Sequence, residues 1–269
     1  MIARIRGFLA LLVIVAPALV LALVQSVILK TGFGNPSVIP QLWHRIVLKA
    51  LGMRVTVHGK PAQERPLMLA SNHISWTDIL VVSSVLRVCF IAKSQLGGWP
   101  IFGTLARLQR TVFVERERKR KSGEQASELA GRLAAGDVMV LFAEGSTSDG
   151  NLIMPFKSTL FGAAEIAIRE HTVDKVYLQP VAITYTRFHG MPMGRQHRWL
   201  AAWIGDTDLI PHFAALLREG AIDVDIRFGE PAEFNAESDR KRVTRAMEDE
   251  VRRMFATTLR DARMPARVR

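Results

Sequence analysis

The stretch "SNHISWTDIL", Ser71 to Leu80, sets His73 and Asp78 five positions apart where a strand-like run gives way to a helix-like one. If the aspartate accepts the imidazole Nδ1–H, it fixes tautomer and orientation and leaves Nε2 free as a base. General-base catalysis of this kind contributes about 10²–10⁴ in rate. The same spacing has a purely structural reading. Ser75 as N-cap with Asp78 at N3 is a capping-box pattern that needs no catalysis, although it leaves His73 unexplained. No enzyme nucleophile accompanies the pair, because "EGSTSDG" satisfies G-x-S-x-G in neither register. A His–Asp pair alone suits deprotonation of a substrate hydroxyl, which then attacks an activated carbonyl directly.

Other polar clusters arrive in similar places. Glu115–Arg116 and Glu144–Gly145 each follow directly on a strand-like run, as His73 does. In open α/β sheets ligands gather at the loops leaving the carboxyl ends of strands, so three such clusters at one rim describe a candidate site. Lys93 in "IAKSQL" leaves a further apparent strand and is a candidate for the same cleft. Lys157 in "PFKS" reads equally as an anion contact or as packing at a helix start. Gly97-Gly98 before Trp99-Pro100 reads as a turn, since no phosphate-loop spacing is present. Asp206 and Asp208 in "WIGDTDL" invite a metal reading, but a two-metal site needs His/Asp clusters that the chain does not supply. His58, His171, His189 and His197 show no ligand spacing, and Cys89 is a lone thiol in the apolar run "VCFIA". No metal is expected.

The elements that must carry these residues follow from periodicity. From about Arg54 onward, strand-like runs ("PLMLAS", "RVCFIA", "TVFVE", "DVMVLFA", "KVYLQPVAITYT", "DVDIRFG") alternate with helical ones. The helical runs are "WTDILVVSSVL", "WPIFGTLARL" with Pro100 near its start, Ser122 to Ala135 closed by Gly136, "TLFGAAEIAIRE" and a last amphipathic stretch with Ser238 as N-cap. This alternation predicts an α/β domain, a mixed but mostly parallel sheet covered by helices.

Ahead of that domain, Phe8 to Leu29 is an apolar run broken only by Pro17, Gln25 and Ser26. As a helix it is roughly 33 Å long, near the thickness of a bilayer core. A secretory signal is the competing reading, with Arg4 and Arg6 as its basic region, but the run is longer than the usual apolar stretch and no small-x-small cleavage site follows. "SVIPQLWHRIVLKALGM" has Leu42, Ile46 and Leu51 near one helical face, Trp43 beside them, and His44, Arg45 and Lys49 around the polar margins. That pattern fits a helix lying in a membrane interface, and also one packed on the domain. The expected division is an anchor and interfacial helix over 1–53 and a catalytic domain over 54–269. The formal net charge of +11 draws the chain to polyanions. With an apolar anchor and no aromatic-plus-basic nucleic-acid module, lipid is the expected polyanion rather than nucleic acid. The run from Arg116 to Lys121 carries five basic residues, either a solvated loop or a landing patch for acidic partners.

Four ordered blocks carry a family resemblance. "NHISWTD" is similar to the N-H-x-x-x-x-D signature of the glycerolipid acyltransferases, the 1-acylglycerol-phosphate acyltransferase family. "GTLARLQRTVFVER" resembles its second block, ending in Arg116; "LFAEGSTSDG" its third, usually Phe-Pro-Glu-Gly-Thr-Arg-Ser; and "LQPVAI" its fourth. The match runs from about Leu67 to Ile183. It implies transfer of a fatty acyl group from a thioester, on acyl carrier protein or coenzyme A, to a lysolipid hydroxyl, with no other cofactor. His73 would be the base and Asp78 its orienting partner, while Arg116, Glu144, Gly145 and Ser146 would serve the acceptor. Two departures stand in the third block: Ala143 replaces the usual proline and Thr147 the usual arginine. A guanidinium at that place suits a phosphate monoester. Its loss, with the stretches "SDGNLIMPFKSTLF" and "YTRFHGMPMGRQHRWLAAWIGDTDLIPH", resembles the lyso-ornithine lipid O-acyltransferase branch, whose acceptor has a carboxylate and an amine but no phosphate. Asp149 either faces that amine or simply makes a turn with Gly150. The alternative acceptor is 1-acyl-sn-glycerol-3-phosphate, giving phosphatidic acid. The rival of another class is a non-catalytic membrane lipid-binding protein that keeps the fold, against which stands the presence of both His73 and Asp78. A cytosolic thioester donor implies the cytoplasmic (inner) membrane, with the catalytic domain on its cytoplasmic side.

Overall fold

The computed structural model describes residues 2–114, 119–170, 173–205 and 207–263. Helices α1 (Ile2–Thr31) and α2 (Val38–Ala50) precede β1 (Met53–His58), β2 (Leu67–Ser71), α3 (Thr77–Val85), β3 (Cys89–Lys93), α4 (Phe102–Leu108) and β4 (Val112–Val114). Then come α5 (Lys119–Ala134), β5 (Met139–Phe142), α6 (Gly162–Glu170), β6 (Lys175–Phe188), β7 (Met191–Pro192), α7 (Leu209–Glu219), β8 (Ile222–Phe228), β9 (Ala232–Asn235) and α8 (Arg240–Arg263).

The sheet has the order β1-β8-β6-β2-β5-β3-β4, with β7 and β9 also paired to β6. Strands β6, β2, β5, β3 and β4 are mutually parallel, while β8 runs antiparallel to β6 and carries β1 beside it. The predicted mixed, mostly parallel sheet is therefore present. Its chemistry follows from burial. Every residue of β2 and of β5 is buried, as continuous apolar runs covered on both faces require, whereas β8 alternates buried and half-buried positions.

Chain direction sets the crevice. From β2 the chain crosses over β5 to reach β3, and from β5 it crosses back over β2 to reach β6. Helix α3 packs with α2, and α6 with α5. Adjacent strands whose connections leave in opposite directions open a crevice beyond their carboxyl ends. Ser71 lies opposite Phe142 in the register, so His73 and Glu144 begin side by side at that crevice.

Several local expectations are corrected. The last helix is capped by Asp239, whose Oδ1 accepts the Lys241 and Arg242 N–H groups at 2.8 and 3.2 Å; the Ser238 hydroxyl is engaged with Asn235 instead. Helix α7 is absent from the expected helices, and it buries His212, Leu216 and Leu217. Helix α2 is packed on the domain: Val47, Leu48 and Leu51 lie in the core while Leu42 faces out. His44, expected at a polar margin, is buried, and desolvation pulls its pKa down to about 3. Helix α1 is the one described helix long and apolar enough to cross a membrane, and it leaves Phe8, Leu19, Leu23 and Val27 more than half exposed.

Candidate active site

The asparagine before His73 explains how the motif starts. Strand β2 stops at Ser71, but Asn72 continues its pairing with β6 through its side chain. Its Nδ2 donates to Ile183 O at 3.0 Å and its Oδ1 accepts the Ile183 N–H at 2.8 Å. The backbone is thereby freed to turn, and His73 is delivered at the rim.

Asp78, fully buried in the first turn of α3, faces that histidine. Its Oδ2 lies 2.8 Å from His73 Nδ1 and also accepts the N–H groups of Ile74 (2.6 Å) and Ser75 (2.9 Å). Both sequence readings are thus partly met. The carboxylate half of the capping box forms with Ser75, the serine hydroxyl half does not, and the same oxygen holds the imidazole. Oδ1 accepts the Tyr185 hydroxyl at 2.7 Å, and Thr77 Oγ1 completes the chain at 2.6 Å from the phenol oxygen. Tyr185 is buried, and desolvation together with the Asp78 charge holds its pKa well above the ordinary value. Four donors hold this one buried carboxylate in place.

The imidazole stacks on Phe142, ring centroids 3.9 Å apart and 12° from parallel. Within the described residues its Nε2 makes no hydrogen bond, and the side chain is part-exposed. The geometry therefore presents one basic nitrogen toward the crevice.

Glu144 lies beneath this arrangement, 1% exposed. One oxygen accepts the His73 N–H at 2.9 Å and the other the Met154 N–H at 3.1 Å, while Ser148 N–H donates to His73 O at 2.8 Å. Both carboxylate oxygens thus meet backbone groups. Burial pushes the Glu144 pKa up to about 7, with the two N–H bonds working against it. A raised carboxyl pKa makes the folded state hold a proton that the unfolded chain has lost. Stability therefore falls as pH rises between about 4.5 and 7, by an amount on the order of 3 kcal/mol. Thermal unfolding of wild type and Glu144→Gln across this window should show the slope in wild type only. The amide variant should be less stable at low pH, because its NH₂ group meets one of the two N–H donors.

Gly145 follows with φ 76°, a left-handed turn that favours glycine, and donates its N–H to Phe142 O. Ser146 is exposed at the same rim. Lys93, at the end of β3, and Lys157 are both exposed, and the Lys157 N–H donates to Ala143 O. Glu115, Arg116 and the remaining side chains of the basic run through Lys121 lie outside the described residues, as do His171 and Asp206. Asp149 and Asn151 form an Asx turn.

Sequence reading missed two supports. Trp76 Nε1 donates to His212 Nδ1 on α7 at 3.0 Å, and His212 Nε2 lies 3.2 Å from Leu200 O, which specifies the Nε2–H tautomer. Burial lowers the His212 pKa in keeping with a neutral ring. Buried Arg198 bonds Asn151 Oδ1 (2.8 Å) and Met193 O (3.2 Å), tying the loop after Glu144 to the segment before α7. No local signal could have found either partner.

Residues 54–184 match the family model described as Acyltransferase. A lyso-ornithine lipid O-acyltransferase of Brucella abortus (strain 2308) is 53% identical over 265 residues, 98% of this chain and 99% of the relative. The chain belongs to the acyltransferase family. A second relative of this acyltransferase, the lyso-ornithine lipid O-acyltransferase of Rhizobium meliloti (strain 1021), is 48% identical over 260 residues, 97% of this chain and 89% of that one. Its fold is that of the 1-acyl-sn-glycerophosphate acyltransferase PlsC from Thermotoga maritima, with a TM-score of 0.58 at 21% identity over 95% of this chain and 97% of that one. The acyltransferase is thus an enzyme, and its likeness to these two relatives extends over nearly the whole chain.

Proposed function

We propose that this acyltransferase moves a fatty acyl group from a thioester to the hydroxyl of lyso-ornithine lipid, giving ornithine lipid. The observation that carries the chemistry is the His73–Asp78 pair with its unengaged Nε2 at the crevice. Nε2 accepts the proton of the lipid hydroxyl as the oxygen attacks the thioester carbon. The C–O bond forms, the tetrahedral intermediate collapses with loss of the C–S bond, and the proton passes from His73 to the departing thiolate. A thioester is already activated, so alignment and proton removal suffice, and no cofactor beyond the thioester takes part. Asp78 holds the ring and stabilises the imidazolium formed in transit. Glu144 acts through the His73 backbone, and Gly145, Ser146 and Arg116 serve the acceptor, with Lys93 and Lys157 as candidates for its anionic part.

Two observations support the acceptor. Thr147 stands where a phosphate-gripping arginine is usual in the family, and the relatives similar over nearly the whole chain are named for lyso-ornithine lipid. The donor is acyl carrier protein or coenzyme A thioester, which places the catalytic domain on the cytoplasmic side of the membrane. Purified enzyme offered lyso-ornithine lipid and lysophosphatidate side by side, with each donor in turn, should acylate the former at least about tenfold faster, a preference of about 1.4 kcal/mol in transition-state binding. Preference for the phosphate acceptor would overturn the assignment.

A further inference from the structure

An apolar rim lies outside both α1 and the catalytic residues. Leading from β3 into α4 the chain runs Trp99-Pro100-Ile101-Phe102, and leading into α7 it runs Trp203-Ile204 and on to Ile210 in the first turn of that helix. Trp99 and Trp203 meet edge to face, ring centroids 6.4 Å apart, so the two segments form one surface. Ile101 is 72% exposed and Ile210 66%, with Trp99, Phe102 and Ile204 each more than a third exposed.

Three properties separate this rim from scattered surface hydrophobes. The first is strain. Ile101 has φ 64° and ψ −61°, and Phe102 N–H donates to Pro100 O at 2.6 Å, which makes a γ-turn of the rare positive-φ kind. A β-branched residue in that conformation, pointing its side chain at solvent, is a local cost with no packing return inside the protein. The second is charge on the first segment, where no acidic residue occurs between Asp78 and Glu115 and exposed Lys93 and Arg107 flank the turn, with Arg107 donating to Gly97 O; on the second segment Asp208 is exposed between Ile204 and Ile210. The third is continuity. Helix α1, with its exposed apolar face, packs against both α4 and α7, and Gln25 of α1 donates to Leu108 O at the end of α4.

We infer that Trp99, Ile101, Phe102, Trp203, Ile204 and Ile210 form a second lipid-contacting surface, on the catalytic domain itself, that enters the bilayer interface beside α1. Indole rings with apolar bodies and polar N–H groups suit that depth, and the flanking cations suit anionic headgroups. The surface is wired to the active site. Trp203 N–H donates to Ile74 O at 2.9 Å, one residue from His73, so seating the rim in lipid sets the height of the catalytic crevice above the acyl region.

The test uses the full chain in vesicles of phosphatidylethanolamine and phosphatidylglycerol. An environment-sensitive dye on Ile101→Cys (the native Cys89 is buried) should shift to the blue and be quenched by brominated lipid. The same dye on Glu237→Cys, exposed beyond β9 near the opposite end of β6, should do neither. Ile101→Asp should lower turnover of acceptor embedded in vesicles by about tenfold or more while leaving turnover of detergent-dispersed acceptor within about twofold. A dye at position 101 that behaves like the one at 237, or that shifts only when acyl carrier protein is added, overturns the inference. So does an Ile101→Asp enzyme whose two activities fall together or stay unchanged. The dye measurement needs no turnover, so it stands apart from the chemistry assigned to His73.

Discussion

Replacing His73 by alanine is expected to lower thioester-dependent acylation by at least about 10²–10⁴-fold with little change in the unfolding temperature. The ring is part-exposed and touches the core mainly through Phe142, while its backbone N–H and C=O, which Glu144 and Ser148 hold, survive the substitution. The loss should appear in kcat, because the base acts on the transition state and contributes little to binding the lipid in the ground state. Release of free thiol from the donor, followed with the acceptor present and absent, checks it. Turnover within tenfold of wild type would remove His73 from its role.

Asp78 separates charge from hydrogen bonding in a way that two substitutions resolve. In Asp78→Asn the amide oxygen can take the place of Oδ2 and keep the His73, Ile74 and Ser75 donors. The NH₂ then faces Tyr185, whose hydroxyl can turn its hydrogen toward Thr77. Every bond survives, and only the charge that stabilises the imidazolium is lost. The expected result is a folded protein whose kcat is down by about 10²–10⁴. Asp78→Ala leaves the buried Ile74 and Ser75 N–H groups without an acceptor and should cost about 3–5 kcal/mol of stability as well. Circular dichroism melts beside rate measurements distinguish the two. An asparagine variant with full activity would show that Asp78 serves only as the cap of α3.

How far the sequence reached depended on the range of each interaction. His73 and Asp78 are five residues apart across a strand-to-helix turn, so local geometry sufficed to pair them. Strands β2 and β5 came through as apolar runs because burial on both faces leaves no room for polar residues, whereas the more exposed β1, β7 and β9 were not among the expected runs. Failures occurred where a local pattern had two solutions. Helix α2 has the composition of an interfacial helix, yet α1 and α3 cover it and bury His44. Ser238 and Asp239 are both good caps, and the engagement of Ser238 with Asn235 left the role to Asp239. The resemblance gives Glu144 to the acceptor, and the sequence carries no sign that its carboxylate also accepts two backbone N–H groups.

By itself the amino-acid sequence determined the family, the α/β class and the apolar first helix, and it singled out His73 and Asp78 as the candidate base and its orienting carboxylate. The family and the two roles rest on the four-block resemblance, and the class and the first helix on periodicity and composition. Only the tertiary structure decided that Tyr185, 107 residues from Asp78, closes the carboxylate's shell, that His212 grips Trp76, and that a strained isoleucine turn joins Trp203 on one apolar rim. Strand order brings those partners together. Hydropathy does not encode it, because any buried strand can hydrogen-bond to any other until the crossovers choose.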